Sequence, residues 1–173
     1  MTESLDALNV CLLQLLEEHP RIGILELSRL ARVSRATVTA RMNRMQAAGI
    51  ITGYGPQVDV VAAGYPVQAL ATLEIAQGRL EDIRDLLLSL PGVIEAWATT
   101  GAGDVVCRLS AGSNHELQEL LLELNRSEVI RRSTSVVVLS TLVAHRTLPL
   151  LLSRQRSRPS RAGSTPARAT SAG

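Results

Sequence analysis

The stretch "ELSRLARVSRATVTARMNRM", residues 26–45, carries four further arginines after Glu26 and Arg29 and no further acid. Ile24, Leu27, Leu30 and Ala31 recur at helical spacing and predict a short helix from about residue 24 to 31. Arg32 and Val33 then separate it from Ser34, which is placed to cap the next helix by accepting from the Thr37 amide, and Gly49 marks that helix's stop. On this helix Val38, Met42 and Met45 fall together, so they must face the core, with Ala36, Thr39, Ala40, Asn43 and Ala47 opposite. Upstream, "SLDALNVCLLQLLEEHP" sets Leu5, Leu8, Leu12 and Leu15 on one stripe, with Ser4 as its N-cap and Pro20 as its stop. Two short helices joined by a brief turn and covered by a preceding helix make a helix-turn-helix.

The outward face of the third helix has the composition of a groove reader. Small residues allow close approach, Thr39 and Asn43 can hydrogen-bond base edges, and Arg35, Arg41 and Arg44 reach phosphates from the rim. The candidate DNA-binding set is therefore Ser34, Arg35, Ala36, Thr37, Thr39, Ala40, Arg41, Asn43 and Arg44, and the expected partner is double-stranded DNA. "GIITGYGPQVD", residues 49–59, follows as a short strand and a Gly/Pro-broken turn, either a wing beside the groove or a linker.

Past Pro66 the period changes from helical to alternating. "VQALATLEI" places Val67, Ala69, Ala71, Leu73 and Ile75 on one face of a strand. "RLEDIRDLLLSLPG" puts Leu80, Ile83, Leu87 and Leu90 on one side of a helix ended by Pro91 and Gly92. Two strands, "VIEAWATT" and "DVVCRLSA", are separated by "GAG"; the helix "NHELQELLLELN" and a last strand, "STSVVVLST" at 133–141, complete the order. The reading is α+β: an N-terminal winged helix-turn-helix followed by a ferredoxin-like βαββαβ module with both helices on one face. The other face of so small a sheet needs cover, and a second copy of the chain supplies it economically.

The net charge of +2 conceals an uneven distribution, with every basic residue an arginine. Residues 67–141 are net acidic, whereas Arg154, Arg156, Arg158, Arg161 and Arg168 share a Pro/Ser/Gly/Ala-rich end without an acid, expected to be disordered over 153–173. The expected boundaries are 1–53 for the DNA-binding domain, 54–66 for a linker and 67–142 for the second module. No run of about 18 apolar residues occurs and no basic-then-apolar leader opens the chain, so the expectation is a cytoplasmic, nucleoid-associated protein without membrane contact.

These strings, "LSRLARVSRATVTARMNRMQAAGIITGY", "VD", "GYPV", "LPGVIEAWATTGAGDVV" and "RSTSVVVL", resemble the Lrp/AsnC (feast/famine) family of transcription regulators over residues 4 to 142. The resemblance implies a DNA-binding N-terminal domain, a ligand-sensing C-terminal domain called RAM, homodimers formed through it and often rings of four dimers. It implies no cofactor and no enzymatic activity, but a small-molecule effector, an amino acid. That effector would lie between subunits near Thr100, Gly101, Ala102, Gly103 and Asp104, with Ser133 and Ser135 contributed by a neighbouring subunit. The glycines would let backbone amides meet a carboxylate, and Asp104 would accept the ammonium. The chain departs from the family's pattern twice, with Arg32 where a glycine is common and Gly103 where an aromatic residue is common. Siroheme decarboxylases, enzymes built on the same two modules, are the alternative; the acid-free outer face of the third helix favours the regulator.

The remaining reactive residues have ordinary expectations. Cys11 and Cys107 lie far apart in apolar segments and read as reduced core residues. His19 closes the first helix, and His115 and His145 have no metal-ligand spacing, so no metal is expected. Trp97 is expected in the core or a dimer interface, and Tyr54 and Tyr65 are expected to pack the two domains together.

Overall fold

The computed structural model describes residues 5–156, and the chain divides into two compact units. The first comprises the chain up to Gly55 together with the stretch from His145; the second is Pro56–Ala144.

In the first unit, α1 (Ala7–Glu18), α2 (Ile24–Leu30) and α3 (Arg35–Ala47) enclose a core of Leu12, Leu27, Val38, Met42 and Met45. The three core residues expected from α3 are all buried. Only Leu27 of the α2 stripe is; Ala31 is half-buried against the core, and Ile24 and Leu30 are exposed. The cap of α1 is Asp6, whose carboxylate accepts from the Asn9 amide at 2.9 Å, and the expected Ser4 lies outside the described residues. His19 closes α1, its amide donating to the Leu15 carbonyl. Cys11 is half-buried rather than core.

No strand forms after α3: residues 51–58 are without regular structure, so the short strand expected there, as part of a wing or a linker, is absent. Gly53, Gly55 and Pro56 interrupt the segment, and a lone strand has no partner here to satisfy its amides.

A further helix, α6 (Leu148–Arg156), packs on α1 within this unit. Residues 153–156 therefore belong to a helix, against the expectation of disorder from 153; the remainder of the arginine-rich end, 157–173, lies outside the described residues. Leu148, Leu151 and Leu152 recur at helical spacing and are half-buried, giving α6 the apolar stripe that holds it.

The second unit is a four-stranded antiparallel sheet in the order β2-β3-β1-β4, built from β1 (Val67–Ile75), β2 (Val93–Ala98), β3 (Val105–Ala111) and β4 (Ile130–Val137). Helices α4 (Leu80–Ser89) and α5 (Asn114–Arg126) cover one face. Ala69, Ala71 and Leu73 of β1, Cys107 and Leu109 of β3, Ile83 and Leu87 of α4, and Leu117 and Leu124 of α5 form its core. Leu80, expected on the inner stripe, is half-exposed at the first turn of α4. Burial pushes the Cys107 thiol up to about 11 despite its bond to the Ala71 carbonyl, which keeps it protonated and inert.

Strand β4 begins three residues before the expected Ser133 and ends at Val137. It starts where Ile130 enters the core, and it stops short of the very exposed Leu139, which the apolar run "VVVL" had drawn into the strand. The expected linker is largely built structure: Asp59 accepts from the amides of Val61 and Ala62, Tyr65 donates back to Val60, and Ser110 donates to the Tyr65 carbonyl at 3.1 Å. Tyr54 and Tyr65 are 60% and 51% exposed rather than buried.

Candidate DNA interface and effector cleft

Ser34 caps α3 as its position predicts, its hydroxyl accepting from the Thr37 amide at 3.1 Å and sharing a 2.9 Å hydrogen bond with the Thr37 hydroxyl. With Val38, Met42 and Met45 turned inward, Arg35, Ala36, Thr39, Ala40, Asn43 and Arg44 are all exposed on one continuous surface. That surface has no acid, since α3 itself contains none. Its N-terminal turn presents backbone amides and the positive end of the helix dipole beside Arg35, an arrangement that favours a phosphate.

Arg41 behaves differently from its neighbours. Its guanidinium is drawn toward α1, where Nη1 lies 2.5 Å from the Asp6 carboxylate and 3.4 Å from Asn9 Oδ1. Expected at the phosphate rim, it instead ties α3 to the N-terminus of α1, a contact 35 residues apart in sequence. Burial raises the Asp6 carboxyl, but the Asn9 amide and Arg41 together outweigh it and hold the group below the ordinary carboxylate range. A depressed carboxyl contributes stability above its unfolded pKa and loses it as pH falls through its folded one, so the clamp is complete at neutral pH.

Arg32 sits in the turn between α2 and α3 with φ of +54°, the only positive-φ residue other than glycine among those described. Its amide still closes the turn on the Arg29 carbonyl, and its side chain is exposed. Because a Cβ in this region costs about 1 kcal/mol, Arg32→Gly is expected to raise the melting point of this unit. The same change is expected to lower DNA affinity at low salt and to reduce the salt dependence by about one phosphate contact. Thermal denaturation and DNA titration of the variant check the two halves; a lower melting point would mean that the arginine side chain holds the turn.

In the second unit the loop after β2 folds back on β1. Thr99 donates through its amide to the Asp104 carbonyl at 2.8 Å and through its hydroxyl to the Gly103 carbonyl at 3.0 Å. Asp104 in turn donates its amide to the Leu73 carbonyl at 2.9 Å, and its Oδ2 accepts from the Ile75 amide at 2.8 Å. Half of the Asp104 carboxylate is thus spent on anchoring the loop, and Oδ1 remains for another partner. Gly101 adopts φ of +122°, a region closed to other residues. Gly103 is buried, and a Cβ there would come within 2.3 Å of Thr72 Cγ2, so the loop lies flat on β1 where an aromatic side chain would stand off it.

The result is an open cleft of about 780 Å³ lined by Thr99, Gly101, Ala102, Gly103 and Asp104 of this loop together with Glu74 to Gly78, Leu80 and Arg131. Thr100 belongs to the same loop but does not line it. Ser133 and Ser135 are not brought to the cleft of their own chain. They pair with Leu73 and Ala71 on the helix-facing side of the sheet, where the Ser133 hydroxyl donates to Asn125 Oδ1 at 2.6 Å. Glu74 and Arg131 escaped the sequence reading, since each sits in a strand whose period alone gives it no role.

The opposite face of the sheet carries Leu70, Trp97 and Val136, all substantially exposed; Trp97, 49% exposed, lies beside Val106 on β3. It is thus not a core residue of a single chain. Arg108 bridges Gln68 at 2.8 Å and Glu95 at 3.5 Å on this same face. Among the described residues no group of His, Cys, Asp and Glu could hold a metal, and no helix is long and apolar enough to cross a membrane.

A capped, acid-free helix of a helix-turn-helix joined to an α+β ligand module defines a DNA-binding transcriptional regulator. Comparison with known proteins agrees in both halves. Residues 8–52 match the family of winged helix-turn-helix DNA-binding domains, and residues 68–148 match the Lrp/AsnC ligand binding domain. An HTH-type transcriptional regulator of Methanocaldococcus jannaschii is 31% identical over 103 residues, 60% of this chain and 70% of that protein. The structure of Escherichia coli AsnC superposes with a TM-score of 0.79 at 26% identity, covering 85% of this chain and all of that one. A transcriptional regulator from Neisseria meningitidis, solved as its L-Met complex, shares the fold with a TM-score of 0.75 at 23% identity over 85% of this chain and 97% of that one. The chain belongs to the Lrp/AsnC family. It is a regulator and not an enzyme, which sets aside the decarboxylase alternative.

Proposed function

We propose that α3 reads operator DNA in the major groove, with Thr39 and Asn43 at base edges and Arg35 and Arg44 on flanking phosphates, while the second unit binds an amino acid in the cleft at Thr99–Asp104. The observation that carries the reading is the exposed, acid-free surface of α3, capped at its N-terminus by Ser34. Arg41 supports that surface from behind through Asp6. Dimers form through the open sheet face, where Leu70, Trp97 and Val136 gain cover from a second copy, and rings of four dimers follow the family habit. The Neisseria meningitidis protein's L-Met complex supports an amino acid as effector, and a site shared between subunits links its occupancy to assembly. The regulator acts on the nucleoid, in the cytoplasm.

Salt titration tests the phosphate assignments. Arg35→Ala and Arg44→Ala are each expected to weaken binding to operator and random duplex alike and to reduce the slope of log K against log salt by about 1. Slopes unchanged in both variants would remove α3 from the interface. Calorimetry with a panel of the standard L-amino acids, with sedimentation in parallel, tests the effector and its link to assembly.

A further inference from the structure

Strands β1 and β4 run in register from Ala69 opposite Val137 to Glu74 opposite Arg132, and then slip, so that Ile75 faces Ile130. Arg131 is the residue skipped. The ladder closes again beyond it, where the Ala76 amide donates to the Val129 carbonyl at 2.9 Å. The bulge keeps Ile130 in the core and releases Arg131 from the strict alternation that would otherwise turn it toward the helices. Arg131 instead lines the same cleft as Gly103 and Asp104. Neighbouring Arg132 is engaged by Glu74 at 3.8 Å, whereas Arg131 has no carboxylate partner among the described residues. Of the two arginines at the bulge, the one that lines the cleft with Asp104 is thus the one without a carboxylate partner among the described residues.

We infer that Arg131 is the carboxylate-binding residue of the cleft, so that the site selects ligands bearing a free carboxylate group. This rests on the effector reading above and sharpens it: the loop amides are not the only anion donors, and the α-carboxylate of an amino acid takes a paired hydrogen bond from a planar fork. Asp104 Oδ1 is then left for the ammonium.

The test measures binding by calorimetry to the full chain for a panel of L-amino acids, for their carboxamides, which lack the carboxylate, and for butyrate, which lacks the ammonium. In the wild type each amino acid that binds is expected to exceed its carboxamide by roughly tenfold or more. Arg131→Gln is expected to erase that preference, and Arg131→Lys to restore part of it, with melting points unchanged because the side chain is exposed. Amino acids binding Arg131→Gln with undiminished affinity and preference would overturn the inference while leaving the effector reading intact. If no amino acid bound but butyrate did, and Arg131→Gln abolished it, the carboxylate role would stand and the amino-acid reading would fall. Binding of neither would overturn both.

Discussion

Leu12→Ala is expected to unfold the DNA-binding unit and abolish operator binding while the sheet of the second unit persists. Leu12 is fully buried in a small core cluster whose other buried members among the described residues are Leu27, Val38, Met42 and Met45. Removing the methine and the two methyl groups beyond Cβ from such a site costs about 2–5 kcal/mol, because so few neighbours can move in to fill the void. A unit this small has little more than that in reserve. Leu12→Met, which nearly conserves volume, is expected to lose less than about 1.5 kcal/mol and to keep DNA binding. Circular dichroism melts with DNA titration distinguish the outcomes; an alanine variant melting within a few degrees of wild type would show that the three-helix core is not what holds α3.

Asn43→Ala is expected to reduce discrimination between operator and mismatched duplex by about 1–3 kcal/mol while leaving random-DNA affinity nearly unchanged. Asn43 is on the exposed side of α3, one helical turn from Thr39, and alanines at 36, 40 and 47 keep that face shallow enough for base edges to be reached. A side-chain amide can donate and accept at once, as adenine's major-groove edge requires, and alanine can do neither. The measurement is a competition series in which single base pairs of the operator are altered. Loss of affinity spread evenly over operator and random DNA would place Asn43 on the backbone instead.

Legibility in the sequence followed the range of the interactions. The α3 core triplet, its Ser34 cap and the alternation of β1 are local, encoded within a few residues, and the structure holds them where the spacing put them. The Asp6–Arg41 pair spans 35 residues and belongs to no period, so Arg41 looked like one more surface arginine. The slip at Arg131 is invisible for a related reason: Ile130, Arg131 and Arg132 fit an alternating strand in either register, and only the core position of Ile130 chooses. Helix α6 begins "LPLL", with a proline in its first turn and an unremarkable apolar run, and its stripe has meaning only once α1 is beside it. Asp104 was assigned to a ligand on chemistry alone, and the bond that its Oδ2 accepts from the chain's own Ile75 amide was not visible in the sequence.

The placement of α6 also bears on the order in which the chain folds. A ribosome releases α1, α2 and α3 first, yet the helix that packs on α1 starts at Leu148, after the whole sheet of the second unit has emerged. Such a closure joins segments that flank the whole second unit, a contact of very high sequence separation that forms slowly and last. The nascent three-helix bundle must therefore wait with part of α1 uncovered, and an in vitro fragment ending at Gly55 is expected to reproduce that waiting state.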